Sequence, residues 1–489
     1  MSNLSELLPS GGGQNVVEFT ADGAVASGKP VILNSDGTVT EVAETSISQT
    51  VGSPALFTSN ASFEISTAFD SSSNKVIVAY QGPSNYGWAV VGTVSGTSIS
   101  FGTPVAFESA TANTISVVFD TNSNKVVIAY KDFSNSQYGT AIVGTVSGTS
   151  ISFGSAVVFE SAATEYISAT FDSSENKVVI AYRDSPNADR GTAIVGTVSG
   201  TSISFGSAVV YNSTTTDHVA ATFDSNSNKV VIAYRNVGAG SPFPGTAIVG
   251  TVSGTSISFG SATIFENANT QETRATFDST NNKVILAYVD AGNSDKGTAV
   301  IGTVSGTSIS FGTPVIFNNA ISGQIGLTFD PNANKAVVAY RNGGNSNYGT
   351  LIVGTVSGTS ISFGSAVVYE NADSLNNAAT FDSNSNKVVI AYRDNGNSNY
   401  GTSVVFQNAS TETNLTATNF IGLAADAISD TASGDINVKG GINEAQTGLT
   451  IGSDYYVQTD GTLATTTDDP SVKVGKAITA TTINMMDLT

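Results

Sequence analysis

The stretch that decides the fold is residues 171–182, Phe-Asp-Ser-Ser-Glu-Asn-Lys-Val-Val-Ile-Ala-Tyr. Its Phe-Asp pair, its Asn-Lys pair and its closing Ala-Tyr recur seven times along the chain, about 52 residues apart. A further signature, Thr-Ser-Ile-Ser, also occurs seven times, beginning at Thr45, Thr97, Thr149, Thr201, Thr255, Thr307 and Thr359. Such regular self-similarity indicates an array of equivalent structural units.

Each unit is predicted to contain four short strands. In the third copy these are residues 167–171, 177–182, 192–198 and 201 to about 210, the first to fourth strands. The second strand, Val-Val-Ile-Ala-Tyr, lacks the alternation of a half-exposed strand, so its sheet is predicted to be buried on both faces. Four-stranded units of this length are typical of propeller blades. The Ser199-Gly200 pair between the third and fourth strands predicts a tight hairpin turn with positive φ.

The two ends of the array predict how a ring would close. The seventh copy stops after its third strand, at residues 402–406, and lacks a fourth strand of its own. The chain instead has an unpaired Thr45-Ser46-Ile47-Ser48 before the first copy, and pairing these segments would complete the seventh blade. We therefore predict an all-β chain with a seven-bladed β-propeller at residues 45–407. A solenoid is the alternative, but it would require capping units and would leave residues 45–48 unexplained.

Both flanks are predicted to belong to one small β-rich domain. Ring closure would bring residues 44 and 408 close together, so residues 14–44 and 408–489 can fold as a single body around the inserted propeller. Both contain an Asp-Gly hairpin signature, at residues 35–38 and 459–462. Residues 1–13, which end in three glycines, are interpreted as a flexible arm.

The flanks also carry a family resemblance, in residues 28–39, 420–424, 427–430, 447–450, 455–463 and 474–477. Together these segments resemble a small β module of tailed-bacteriophage virion proteins of the tail-fibre or head-fibre type. The resemblance implies a virion structural protein that binds other virion proteins through this module and that can form a homo-oligomer. It also implies assembly in the host cytoplasm and release by lysis, and it supplies no catalytic residues.

Composition excludes several other functions. The 489 residues include 39 acidic and 19 basic side chains, one His and no Cys, for a formal charge of −20. Thiolate metal sites and Cys nucleophiles are excluded, and the acidic balance argues against nucleic-acid binding. The longest apolar runs, about five residues, are too short to insert as a membrane span. We expect no cofactor, no metal and no catalytic residue.

Copy-to-copy variation is predicted to lie on one face. The loops after the first and third strands are nearly identical in all copies, whereas those after the second and fourth strands differ. Antiparallel order places the latter on the same side, here the variable face, with the former on the opposite repeat face. Aromatic rings and guanidinium groups suit glycan binding, including contacts to sugar carboxylates. Our candidate ligand-binding residues on the variable face are Tyr86, Lys131, Tyr138, Arg183, Arg235, Arg341, Tyr348, Arg393 and Tyr400.

Some of these residues could also have purely structural roles, and other residues could have catalytic ones. The variable-face residues could be ordinary solvated loop residues, and the Asp-x-x-x-Asn-Lys turns are predicted to be structural rather than cation sites. His218, beside Asp217, is the one imidazole available for catalysis and is expected to be a loop residue. Paired carboxylates for glycoside hydrolysis could come from Glu64, Glu165, Asp184, Glu272 or Asp290. The sequence favours a phage adhesin for a host-surface glycan. Its alternatives are a virion decoration or scaffold protein and a polysaccharide-degrading enzyme.

Overall fold

The computed structural model describes residues 15–485, so the predicted arm at residues 1–13 lies outside the described part of the chain. The chain folds as two compact units. One comprises residues 49–408, and the other combines the described residues up to Ser48 with those from Ala409 onward.

The unit of residues 49–408 consists of seven antiparallel sheets, which confirms the predicted all-β, seven-bladed propeller. The second strands are Lys75–Gln81, Lys125–Asp132, Lys177–Asp184, Lys229–Asn236, Lys283–Asp290, Lys335–Asn342 and Lys387–Asp394. The third strands are Tyr86–Ser95, Tyr138–Ser147, Arg190–Ser199, Pro244–Ser253, Lys296–Ser305, Tyr348–Ser357 and Tyr400–Gln407. The short outer strands are Ser98–Phe101, Ser150–Phe153, Ser202–Phe205, Ser256–Phe259, Ser308–Phe311 and Ser360–Phe363.

The fourth strand of one blade continues into the first strand of the next, so the predicted connecting loop is absent. In Val157–Asp172, the beginning pairs with the third strand of one blade and the end pairs with the second strand of the next. The ladder register shifts along this strand, as at a β-bulge. Equivalent 16-residue shared strands are Val105–Asp120, Val209–Asp224, Thr263–Asp278, Val315–Asp330 and Val367–Asp382, and the first is interrupted into Ala55–Ala61 and Phe63–Asp70.

The seventh blade is completed from the N-terminal side, but not by the predicted strand. Thr50–Val51 and Ala55–Ala61 pair with Tyr400–Gln407 and supply the missing fourth strand. Glu44–Ile47, which overlaps the predicted residues 45–48, instead pairs with Ser410–Thr413 in the other unit. The first Thr-Ser-Ile-Ser stands 25 residues before its Phe-Asp aspartate, whereas the other copies stand 23 before theirs. It is therefore out of register with the repeat.

The core is built from the second strands. Val178, Val179, Ile180, Ala181 and Tyr182 have no exposed surface, as a sheet covered on both faces requires. In every blade the closing tyrosine of this strand packs edge-on or tilted against an aromatic ring of the preceding shared strand, with centroids 5.1–5.3 Å apart. These contacts explain the glycine at the start of each third strand. A Cβ at Gly139, for example, would lie 2.4 Å from the Phe159 ring.

The repeat-face turns are fixed by two side chains. The Asp172 carboxylate is buried and accepts hydrogen bonds from the amides of Ser174 and Glu175, at 2.9 and 3.0 Å. Within the described residues the side chains of the turn asparagines accept no hydrogen bond from a backbone amide of the turn, but these residues adopt φ of 53–55° in all seven copies. Asn tolerates this left-handed region better than most residues. The Asp oxygens are thus used by the turn, in agreement with the structural interpretation. Gly200 has φ of 61°, as predicted for the hairpin between the third and fourth strands.

The second unit contains two five-stranded sheets. One has the order Val16–Thr20, Ser433–Asn437, Phe420–Ala424, Pro30–Leu33, Val39–Glu41. Both flanks therefore contribute strands to this sheet, and the two strands of the C-terminal flank lie between those of the N-terminal flank. The other has the order Ile442–Asn443, Ile483–Asn484, Val472–Ala477, Asp454–Val457, Leu463–Ala464. Both Asp-Gly hairpins are present, with Gly37 and Gly461 at φ of 89° and 74°.

Helical structure in the described residues is limited to four single-turn 3₁₀ segments: Pro83–Asn85, Val237–Ala239, Ala291–Asn293 and Gly343–Asn345. Among residues 15–485, no helix has the length and apolar character required to cross a bilayer.

Candidate functional site

One residue of each blade adopts a left-handed backbone at the point where the shared strand turns inward. Its φ lies between 48° and 53° in all seven blades, although none is glycine. Each stands six residues before the turn aspartate, on the variable-face end of the first strand. We name these residues the channel ring: Glu64, Thr114, Tyr166, His218, Glu272, Gln324 and Asn376.

The channel ring surrounds a cavity of about 480 Å³. All seven ring residues line it, so the cavity lies on the axis where the blades converge. Apolar side chains such as Ile115 and Ile167 lie next to the ring residues in the lining. The cavity therefore combines a polar, chemically mixed rim with an apolar wall, a composition suited to an amphipathic small ligand.

Side chains at the channel tie neighbouring blades together. Three ring side chains accept a hydrogen bond from the backbone amide of the next ring residue. These pairs are Thr114 to Glu64 at 3.1 Å, Asn376 to Gln324 at 2.7 Å, and Gln324 to Glu272. Two residues further along, serine hydroxyls accept amide hydrogens in the same way, from Val117 to Ser66, Ala169 to Ser116 and Ala221 to Ser168. The acidic ring residues thus have a structural role as well as a place in the cavity.

Arg274 replaces one of these bridging serines in the fifth blade and lines the cavity. Its Nη1 donates to the Thr273 carbonyl oxygen at 3.0 Å, and within the described residues the guanidinium has no other hydrogen bond and no ion pair. The surrounding protein lowers its pKa, an effect that Glu272 and Glu64 partly oppose. The channel therefore holds a cation whose donors are largely unused.

Tyr166 and His218 form an aromatic pair on the third and fourth blades, with ring centroids 5.2 Å apart. Burial lowers the pKa of His218 to about 4, and Arg235 and Arg274 contribute to this shift. His218 is therefore neutral at pH 7, and it lies in the channel ring rather than in the predicted loop. The adjacent Asp217 carboxylate is bound by Arg183 and Arg235, so it does not orient His218 as a catalytic triad would.

The predicted cations form a belt immediately outside the channel ring. Each is the last but one residue of a second strand and lies opposite the residue that precedes the ring residue in the antiparallel ladder, as Arg183 does opposite Glu165. The corresponding pairs are Lys131 with Asn113, Arg235 with Asp217, Arg341 with Gly323 and Arg393 with Leu375. The structure thus brings these five residues together around the cavity.

Most of the belt is already neutralised. Lys131 and Arg183 share Glu165, and Arg183 and Arg235 share Asp217, which gives an alternating chain of five charges. Arg341 pairs with Asp373, with Nε and Oδ1 2.5 Å apart. Arg393 forms no ion pair in the described residues, and its guanidinium lies 4.5 Å from the centroid of the Phe63 ring. Arg393 therefore remains available to a ligand near the cavity.

The predicted tyrosines lie on the same face but farther from the axis. Tyr86, Tyr138, Tyr348 and Tyr400 each begin a third strand and are half-buried. They do not line the cavity. The structure therefore separates the proposed aromatic and cationic residues into two concentric zones.

Of the candidate carboxylates, Glu64 and Glu272 line the cavity, whereas Glu165, Asp184 and Asp290 do not. Burial raises the pKa of Glu64, against the opposing effects of the Thr114 amide and Arg274. Sequence reasoning missed the channel ring as a set. Its signal was the sixth position before each turn aspartate, which holds six residue types in seven otherwise similar copies.

No protein-family model and no curated protein sequence matches the chain. Among solved structures, the BP39L lectin from Burkholderia pseudomallei aligns with a TM-score of 0.53 and 10% identity, over 73% of this chain and 98% of the lectin. A chain of a mitotic checkpoint complex aligns with a TM-score of 0.48 and 10% identity, over 73% and 94% of the two chains. An ulvan lyase aligns with a TM-score of 0.45 and 10% identity, over 74% and 97%. The likeness to the lectin agrees with the propeller fold.

Proposed function

We propose that the propeller binds a glycan of the bacterial surface at its axial channel, and that the small β module anchors it in a tailed-phage virion. The observation that carries the binding proposal is the cavity surrounded by the channel ring. It offers hydrogen-bond donors, acceptors and two aromatic rings around one cavity.

Sugars suit such a site because they present hydroxyl groups at their edges and C–H groups on their faces. Aromatic rings pack against the faces, and polar side chains bind the hydroxyl groups. Tyr166 and His218 could serve the first purpose, and Gln324 and Asn376 the second. The neighbour of TM-score 0.53 is itself a lectin, which supports the proposal that this fold can be used for glycan binding.

The virion part of the proposal depends on the resemblance of the flanking segments. Attachment would involve other virion proteins through the module, with the propeller as the displayed domain. Many copies on one particle would convert weak single-site binding into avidity. A decoration or scaffold protein with a non-binding propeller is the alternative within the same class.

A polysaccharide-degrading activity is the second candidate, favoured by one observation. Glu64 and Glu272 line the same cavity, and two carboxylates are the groups that glycoside hydrolysis requires. Cleavage would then depend on both residues, whereas simple binding would tolerate a conservative change at either.

The binding test incubates the purified full chain with a panel of bacterial surface polysaccharides and measures bound glycan and new chain ends together. We expect saturable binding without cleavage, reduced about tenfold or more by Tyr166→Ala, on the basis of one lost stacking contact. Lys177→Gln, on the repeat face, is the matched control and should bind normally. New reducing or unsaturated ends would favour the enzyme, and the absence of binding and cleavage would favour the spacer.

The virion test is independent of the ligand. Mass spectrometry of purified phage particles from a lysate that expresses this chain should detect propeller peptides in stoichiometric amounts. Their absence from the particles would contradict the virion assignment and leave the glycan proposal standing.

A further inference from the structure

The walls of the channel differ in chemistry around the axis. Tyr166 and His218, from the third and fourth blades, provide the aromatic side. Arg274, Gln324 and Asn376, from the fifth to seventh blades, provide a side with hydrogen-bond donors. Because the blades follow one another around the ring, a ligand in the channel would lie between these two groups.

Two donors in this part of the cavity wall have unused capacity. Arg274 has only its bond to the neighbouring Thr273 carbonyl. Asn377 is only 3% exposed and its Oδ1 accepts from Ser374, but its Nδ2 has no hydrogen-bond partner. Arg274 is exposed and lines the cavity, so a ligand in the cavity can reach its unused donors.

The acidic residues near Arg274 accept hydrogen bonds from backbone amides and also act electrostatically on its guanidinium. Glu272 accepts from the amides of Gln324 and Ile325, and Glu64 accepts from the amide of Thr114. In the described residues neither carboxylate forms an ion pair with Arg274. The belt cations Lys131, Arg183 and Arg235 are paired with Glu165 and Asp217. Arg274 is thus the unpaired cation of the cavity wall.

We propose that the channel binds a carboxylate-bearing sugar residue, whose carboxylate pairs with Arg274 while a face of the sugar ring packs on Tyr166 and His218. A guanidinium matches a carboxylate through two parallel hydrogen bonds, which a neutral sugar hydroxyl cannot reproduce. This inference rests on the proposed glycan-binding function and names its ligand class.

The experiment titrates the full chain with sodium D-glucuronate, sodium D-galacturonate and sodium N-acetylneuraminate, and with the neutral methyl glycosides of glucose and galactose. Binding is followed by ligand-observed NMR. We expect at least one of the acidic sugars to bind about tenfold or more tightly than the neutral glycosides, because a charge-assisted pair replaces a neutral hydrogen bond. Arg274→Gln should abolish that preference, and Arg274→Lys should retain part of it.

Arg341→Gln is the matched control, since Arg341 lies outside the cavity and is paired with Asp373. It should change acidic-sugar binding by less than about twofold. Near-ultraviolet circular dichroism of each variant verifies that the propeller is folded. Equal binding of neutral and acidic sugars, or an acidic preference that survives Arg274→Gln, would overturn this inference while the glycan proposal stands. If neither the polysaccharide panel nor any of these sugars binds, both this inference and the glycan-binding proposal are overturned.

Discussion

Each first strand has two fixed backbone features six residues apart, the channel ring residue at one end and the turn aspartate at the other. The aspartate is identical in all seven blades, whereas the ring residue has six identities in the same left-handed conformation. The aspartate is invariant because its carboxylate bonds the turn amides of its own blade. The ring side chain faces a shared cavity, so its blade folds with Thr, Tyr or His alike. In this strand the backbone is fixed at both ends, and the side chain varies at the end that lines the shared cavity.

The largest expected effect concerns the end of the first strand that carries the invariant aspartate. Asp172→Ala removes the acceptor of two amides and of the Ser174 hydroxyl, so we expect it to lower the free energy of unfolding by about 3 kcal/mol. Denaturant unfolding measures this loss. Ser173→Ala, an exposed neighbour in the same turn, should change stability by less than about 0.5 kcal/mol. Equal effects of the two variants would contradict the structural role of the aspartate.

The next effect concerns the channel ring end of the first strand and is seen in how the free energy of unfolding depends on pH. The pKa of His218 is about 4 in the folded protein and about 6.5 when unfolded, so the unfolded chain binds more protons between these values. His218 should therefore cost stability as the pH falls from 6.5 to 4, by about 2–3 kcal/mol in total. The measurement is the difference between the wild type and His218→Asn in unfolding free energy at each pH. A difference that is independent of pH would show that the imidazole is not held neutral.

A smaller effect separates two ion pairs of the belt. Arg183 joins Glu165 and Asp217, and its side chain is 17% exposed, whereas Arg341 and Asp373 are 31% and 24% exposed. We expect Arg183→Gln to cost about 1–2 kcal/mol, because it leaves two carboxylates short of a partner in a partly buried site. Arg341→Gln should cost less than about 0.5 kcal/mol. Chemical denaturation of both variants measures their free energies of unfolding. Equal losses would show that the linked ion pairs around Arg183 stabilise the protein no more than an isolated surface pair does.

The smallest effect compares two blades at the same core position. The Tyr182 hydroxyl donates to Glu160 at 2.9 Å, whereas that of Tyr340 has no hydrogen bond within the described residues. Tyr182→Phe should therefore cost about 1 kcal/mol and Tyr340→Phe close to zero. Thermal unfolding of the two variants measures the difference. Similar losses would indicate that the aromatic packing, and not the hydrogen bond, makes these tyrosines recur.

The repeat could be recognised from the sequence because its strongest signals are local. The Asp-x-x-x-Asn-Lys turns, the Ser-Gly hairpins and the fully apolar second strands each have one physical explanation, and together they predicted the seven blades. The closing strand was misassigned because Thr45–Ser48 matches the repeat in composition but not in register. The observed pairing of residues 50–61 with residues 400–407 shows that residues 50–61, and not residues 45–48, form the closing strand.

The site was only partly predictable, for a geometric reason. Lys131, Arg183, Arg235, Arg341 and Arg393 were identified because they lie on or beside the variable loops, and the structure places them in one belt. The tyrosines of the third strands were grouped with them because sequence order gives the face of a loop but not its distance from the axis. Arg274 and Tyr166 also stand beside the variable face, but sequence order alone does not show that they share a cavity.

The pairing of Thr50 with Gln407 has one more consequence. The chain enters and leaves the propeller at directly opposed positions of one antiparallel ladder, so the whole domain presents itself to the flanking sequence as if it were a single hairpin. A sheet into which a β-hairpin can be inserted could therefore also carry the complete propeller at the same position, because the two ends of the propeller are adjacent like those of a hairpin. In evolutionary terms such a propeller could be exchanged for another without rebuilding the module that holds it.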